Sequence, residues 1–158
     1  MGAIGGLAGA YVMGRGHALW EKAVQEFAPP QKEPQTEDAT VKTANAISRR
    51  LLDRELTEAE KKWAGPFVHY AFGTVAGACY GAIVETIPRA KTAFGIAYGA
   101  ALWLAADEIG VPGFGLSPTP SEIEVFEHLK GLISHLIYGV TTELTRKLVL
   151  ATEQKAAN

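Results

Sequence analysis

The stretch "HYAFGTVAGACYGAIVE", residues 69–85, sets His69, Gly73, Gly77, Gly81 and Glu85 at unbroken four-residue intervals. Each four-residue step turns an ideal helix by about 400°, so the row winds by about 160° and rises about 24 Å from His69 to Glu85. The two titratable ends therefore cannot share one small site on a straight helix. What remains is a ridge of small residues along the i±4 direction, the kind of surface that lets a second helix approach closely. Phe72, Tyr80 and Val84 flank the ridge, while Phe67, Val75 and Ile83 stand opposite with bulk for lipid or other helices.

Outward from this row, residues 64–84 carry His69 as their sole Asp, Glu, Lys, Arg or His side chain. Such a segment is long enough to cross about 30 Å of hydrocarbon. The mean hydropathy of +0.05 averages over two populations. Residues 15–63 are dense in charge, whereas 2–14, 92–106 and 131–142 together add only His135. These three runs fall short of the roughly 18–20 residues expected of a transmembrane span. Their glycines offset that: Gly2, Gly6 and Gly14 in the first run, Gly95 and Gly99 in the second, Gly131 and Gly139 in the last. Each glycine costs up to about 1 kcal/mol in a water-exposed helix, but in a bilayer it permits close backbone contact.

The pattern predicts four long helices. Helix 1 runs from Gly2 to Phe27, ahead of Pro29-Pro30, and turns amphipathic at Leu19 and Trp20. The stretch "PPQKEPQTED" reads as a polar linker. A short basic amphipathic helix follows, with Val41, Ala44, Ile47 and Leu51 opposite Arg49, Arg50 and Arg54, lying on a membrane surface or covering the domain. Thr57 and Glu60 form a T-x-x-E capping box, and Gly65-Pro66 is expected to interrupt or kink the helix that enters the long apolar run. The third apolar helix is expected over Thr92–Ala106, before the loop "IGVPGFGLSPTP". A second capping box, Ser121 with Glu124, is expected to open a last helix reaching about Ala151.

The expected fold class is thus all-α: a small polytopic membrane bundle of about four membrane helices packed on glycine ridges, a single domain over residues 1–158. Residues 28–63 form a charged connection with short amphipathic helices. The apolar amino terminus has no basic segment before it, which argues against a cleaved signal peptide, and Gly6 breaks the myristoylation pattern. A formal charge of −2 gives no reason to invoke nucleic acid, and the single Cys79 excludes an internal disulfide framework. Nine Lys/Arg between residues 15 and 62 place that connection in the cytoplasm and both termini outside.

Three groups of residues carry the likeness to a family. His69, Phe72, Tyr80, Glu85 and Pro88, then Gly115-Leu116 with Pro118, then His135 with Glu143 and Arg146-Lys147, resemble in order and spacing the YagU-like family of bacterial inner-membrane proteins, DUF1440. The likeness covers roughly residues 66 to 148 and does not extend to Asp107-Glu108 or to the charged connection. It implies an integral helical protein of the bacterial inner membrane whose molecular activity is undefined.

Candidate functional residues are few. "HYAFG" at 69–73 and "HLIYG" at 135–139 echo each other, and the helices that carry them should run in the same direction. His69 and His135 at similar depth suit a haem or transition-metal pair, a proton relay or a quinone contact, or else each donates to a backbone carbonyl or a Ser/Thr across a helix junction. No cofactor is expected otherwise. Asp107-Glu108 is either a cation or proton site or a solvated pair opposing the helix dipole. Glu143 with Arg146 and Lys147 reads as an interfacial salt bridge, and His17–Glu21 and His128 with Glu124 and Glu127 as surface pairs. The chain lacks HExxH, a phosphate-binding loop and GxSxG. The expectation is a non-enzymatic accessory or structural subunit whose partners are the bilayer and a second copy or a larger membrane complex. The alternatives are a small transporter or proton-handling protein using His69, His135 and Asp107, and a soluble all-α ligand-binding domain.

Overall fold

The computed structural model describes residues 1–27 and 37–157, so most of the linker "PPQKEPQTED" lies outside the described residues. Every regular element among the described residues is helical. Helix α1 is Gly2–Phe27, α2 Ala39–Leu52, α3 Glu58–Thr86. A 3-10 segment, Pro88–Gly95, leads into α4, Ile96–Trp103, which continues through a π-helical stretch, Leu104–Gly110, into the single turn α5, Val111–Gly113. After the 3-10 turn Pro120–Glu122, α6 runs over Val125–Ala156. Two stretches, Glu58–Thr86 and Ala93–Gly113, are long and apolar enough to cross a membrane.

Local chemistry sets the element ends, and it departs from expectation at several points. Asp38 caps α2 by accepting from the backbone N–H of Thr40 at 2.8 Å. Thr57 and Glu60 make the expected reciprocal box: the Thr57 N–H donates to Glu60 Oε2 at 2.8 Å, and the Glu60 N–H to Thr57 Oγ1 at 3.3 Å. Thr57→Ala should therefore cost about 1 kcal/mol, read as a lower unfolding midpoint; an unchanged midpoint would show that packing alone sets this helix start. Gly65-Pro66 does not interrupt α3, which runs through Pro66. The apolar segment expected to end at Ala106 stays helical to Gly113, because the π-helical stretch carries it into what reads as loop. The second capping box belongs to Thr119 and Glu122 instead of Ser121 and Glu124. Pro120, with its fixed φ, occupies the first turn, which makes Thr119 the cap. The Thr119 backbone N–H, then its hydroxyl, hold the Glu122 carboxyl below the usual carboxylate range. Helix α6 extends to Ala156, past Ala151.

Four helices form the bundle. Helix α1 packs against both α3 and α6, α4 packs against α6, and α2 lies along α3. The contacts fix directions. Gly2 lies against Gly77 and Gly81, and Gly6 against Gly73 and Gly77, so α1 and α3 are antiparallel. Gly5 meets Thr142 and Gly9 meets Tyr138, so α1 and α6 are antiparallel too. Gly95 and Gly99 meet Gly139, and Gly131 meets Trp103, which reverses α4 against α6 in the same way. Thus α3 and α6 run in the same direction.

Three tyrosines fill the space among these helices. Tyr138 of α6 donates to the Gly73 carbonyl of α3 at 2.6 Å, and Tyr98 of α4 donates to the Ala76 carbonyl of α3 at 2.6 Å. The rings of Tyr80 and Tyr98 lie 4.6 Å apart, within the range of favourable aromatic pairs. Apart from Val84, the rest of the buried set is small or polar: Ala10, Ala76, Ser134, His135, Thr142, Glu143 and Arg146 accompany Tyr80 and Tyr138. Large apolar residues are outside instead, among them Leu7 on α1, Phe67 and Val75 on α3, Ile109, and Leu148 on α6. Helix α2 follows the same rule: Ala44 and Ser48 are buried against α3, while Ile47 and Leu51 are exposed.

Candidate functional site

The helices line a partly open cavity of about 530 Å³. Helix α1 contributes Met13 and His17, the start of α2 Asp38 and Thr43, α3 His69 and Phe72, the π-helical stretch Asp107, and α6 His135 and Tyr138. The two histidines of the echoing sequences, far apart in the chain, thus share one cavity with Asp107.

Their hydrogen bonds assign the tautomers, since a backbone carbonyl only accepts. His69 Nε2–H donates to the Ala10 carbonyl at 3.0 Å, across the α1–α3 junction. His135 Nδ1–H donates to the Gly131 carbonyl of its own helix at 3.0 Å, with Asp107 Oδ2 at 3.5 Å from the same nitrogen. As neutral imidazoles, His69 would keep its lone pair on Nδ1 and His135 on Nε2. A haem or metal held through Nε2 of both histidines would require His69 to give up Ala10. No group of three or more His, Cys, Asp or Glu side chains among the described residues is placed to hold a metal ion.

Several side chains lie elsewhere than their sequence neighbours suggest. His17 turns into the bundle rather than pairing with Glu21 at the surface, and its Nε2 lies 2.7 Å from Ser134 Oγ on α6. Asp107 and Glu108 are not an isolated solvated pair: Asp107 meets His135, and Glu108 accepts from His128 Nδ1 at 2.6 Å. His128, expected beside Glu124 and Glu127, also donates from Nε2 to the Pro120 carbonyl at 3.0 Å. With Glu108 ionised, both ring nitrogens donate, and His128 as an imidazolium clips the π-helical stretch and the Pro120 turn to α6. The widened π-helical turn rotates Asp107 and Glu108 to positions that ideal helical spacing does not foresee.

A second polar group lies beyond the cavity. Glu143 is fully buried within the chain and pairs with Arg146 and Lys147, the two cations its spacing singles out. Arg146 holds it with two hydrogen bonds, Nε–Oε2 at 2.7 Å and Nη2–Oε1 at 3.0 Å, and Tyr80 donates to Oε2 at 3.1 Å. Lys147 Nζ is 3.6 Å from Oε1 and 3.7 Å from the centre of the Phe94 ring. The i+3 and i+4 spacing of the two cations is legible in the sequence; Tyr80, on another helix, is not.

Gly73, Gly77 and Gly81 face α1, whereas Gly95, Gly99 and Gly139 face one another between α4 and α6, and Gly131 faces Trp103. Gly95, with φ of 82°, also ends a left-handed run that includes Ala93 and Phe94. The cavity histidines, Asp107 and Glu143 all fall within the span matched by a family model described as a protein of unknown function, DUF1440. No curated protein and no solved structure matches the chain. The model match runs over residues 16–144, most of the chain, and the chain belongs to the DUF1440 family.

Proposed function

We propose that this chain is a non-enzymatic integral protein of the bacterial inner membrane. Four segments cross the bilayer, carried by α1, α3, the stretch from Ala93 to Gly113, and α6, with glycine seams joining them. One observation carries the reading: apolar side chains lie outside and polar ones inside. In the apolar windows of Glu58–Thr86 and Ala93–Gly113, only 33% and 11% of residues are buried within the chain. A soluble core helix of that composition would be mostly buried, and so large an apolar exterior calls for lipid or a partner. Buried Glu143 and Arg146, paired by two hydrogen bonds, follow the rule for ionised groups inside a membrane. An accessory role, packing against a second copy or a larger complex, fits a surface built for van der Waals contact.

Alkaline carbonate washing of membranes tests this reading. The protein should stay in the pellet; release into the aqueous phase would replace the membrane protein with a soluble all-α ligand-binding domain. A strictly monomeric particle that co-purifies with nothing in mild detergent would remove the accessory role.

A second reading, proton or solute handling, is favoured by the convergence of His69, His135 and Asp107 on one cavity. His69→Ala should then lower flux in reconstituted vesicles without altering assembly, and unchanged flux would remove that reading.

A further inference from the structure

The hydroxyl donors on the cavity wall and the N–H groups of His69 and His135 are already engaged. On that wall the Thr40 hydroxyl donates to Asp38 at 2.7 Å, the Thr43 hydroxyl to the Ala39 carbonyl at 2.7 Å, and the Tyr138 hydroxyl to the Gly73 carbonyl at 2.6 Å. His69 and His135 each give their N–H to a carbonyl, and His17 shares a hydrogen bond with Ser134. No Lys or Arg lines the cavity among the described residues, whereas Asp38 and Asp107 do. What the side chains leave without a partner are acceptors: Oδ1 of Asp107, Oδ2 of Asp38, and, in the neutral rings, the lone pairs on His69 Nδ1 and His135 Nε2.

A ligand entering such a cavity must bring the donors. An anion would meet two carboxylates and no cation; a neutral apolar molecule would leave the acceptors without partners, at a desolvation cost. The rest of the wall is apolar and partly aromatic, with Met13, Phe72, Leu102 and Tyr138, which suits an apolar body and the face-on contact of a cation with a ring. We propose that the cavity bounded by His17, His69, Asp107 and His135 binds a small organic ammonium ion, a protonated amine carrying N–H donors on a compact apolar body. This names the ligand class for the cavity and rests on the reading of that cavity as the working site. A static binding measurement tests the ligand class, and the flux measurement tests transport, so either can fail without the other.

The test uses the full chain in lipid nanodiscs, or in plain buffer if carbonate washing releases it. Four probes are titrated while the unfolding midpoint and tryptophan emission are followed: benzylamine, benzyltrimethylammonium, benzoate and potassium chloride. Benzylamine should bind; benzyltrimethylammonium, with charge but no N–H, should bind at least about tenfold more weakly, the effect of losing one charge-assisted hydrogen bond. Benzoate should not bind. Asp107→Asn, nearly isosteric, should weaken benzylamine at least about tenfold. Ala106→Leu, which fills the cavity without changing its polar groups, should abolish binding, and it keeps the test decisive if Asp107→Asn does not fold. Benzoate or benzyltrimethylammonium binding as tightly as benzylamine, potassium producing the same shift, or benzylamine binding unchanged in either variant would overturn the proposal.

Discussion

Gly77→Ala is expected to drive α1 and α3 apart and to destabilise the bundle strongly. A Cβ at Gly77 would stand 2.6 Å from the Gly2 carbonyl oxygen and 2.6 Å from the Gly6 nitrogen. Both are backbone atoms, so no side chain can rotate away, and the helices themselves must move. The same clash recurs on the facing helix, where a Cβ at Gly6 would lie 2.7 Å from the Gly77 Cα. Overpacking of this kind costs about 1–3 kcal/mol where side chains can adjust; here, where they cannot, at least about 3 kcal/mol is expected. Gly16→Ala is the matched control, because no atom lies within 4 Å of its added Cβ. It should leave stability unchanged or raise it by up to about 1 kcal/mol, the helix-propensity gain. Unfolding midpoints of the two purified variants decide the matter, and equal midpoints would show that the seam is loose.

Arg146→Met should be nearly as damaging, for an electrostatic reason. It leaves the Glu143 carboxylate, wholly shielded from solvent, with Tyr80 and Lys147 alone. Breaking a buried pair by removing one partner costs about 3–5 kcal/mol, and Lys147 at 3.6 Å places the expectation at the lower end. The double variant Glu143→Met with Arg146→Met should recover most of that loss, since no unpaired charge remains. A double-mutant cycle on unfolding midpoints measures the coupling. If the single and double variants are equally destabilised, the loss comes from packing around the arginine stem and not from the stranded carboxylate.

Helices were legible because helical spacing repeats within one segment. The limits of α1 and the Thr57–Glu60 box follow directly from local residue order. The cavity was legible only in part. Its two echoing histidines stand out as the sole strongly polar residues in apolar runs, but His17 does not: it sits among charged neighbours, and its partner Ser134 is 117 residues away. Asp107 was hidden for a different reason. A π-helical turn holds more residues than an α-helical one, so angular positions counted at 100° per residue fail beyond Leu104. At Thr119–Glu122 and Ser121–Glu124 two overlapping S/T-x-x-E patterns compete, and the proline between them decides. The donor bookkeeping of the cavity was wholly hidden, because Gly73, Ala10 and Gly131 take part through carbonyls that every residue carries.

The tyrosine hydroxyls have a mechanical consequence. A groove of glycines is smooth along its axis: with no side chains to interlock, it resists separation of two helices far better than it resists sliding. Tyr138 and Tyr98 supply the missing detents, gripping the carbonyls of Gly73 and Ala76, three residues apart on α3. Slipping by one residue, about 1.5 Å, would break both grips together. Helices α3, α4 and α6 are thereby indexed to one another in height and travel along the bundle axis as a single piece.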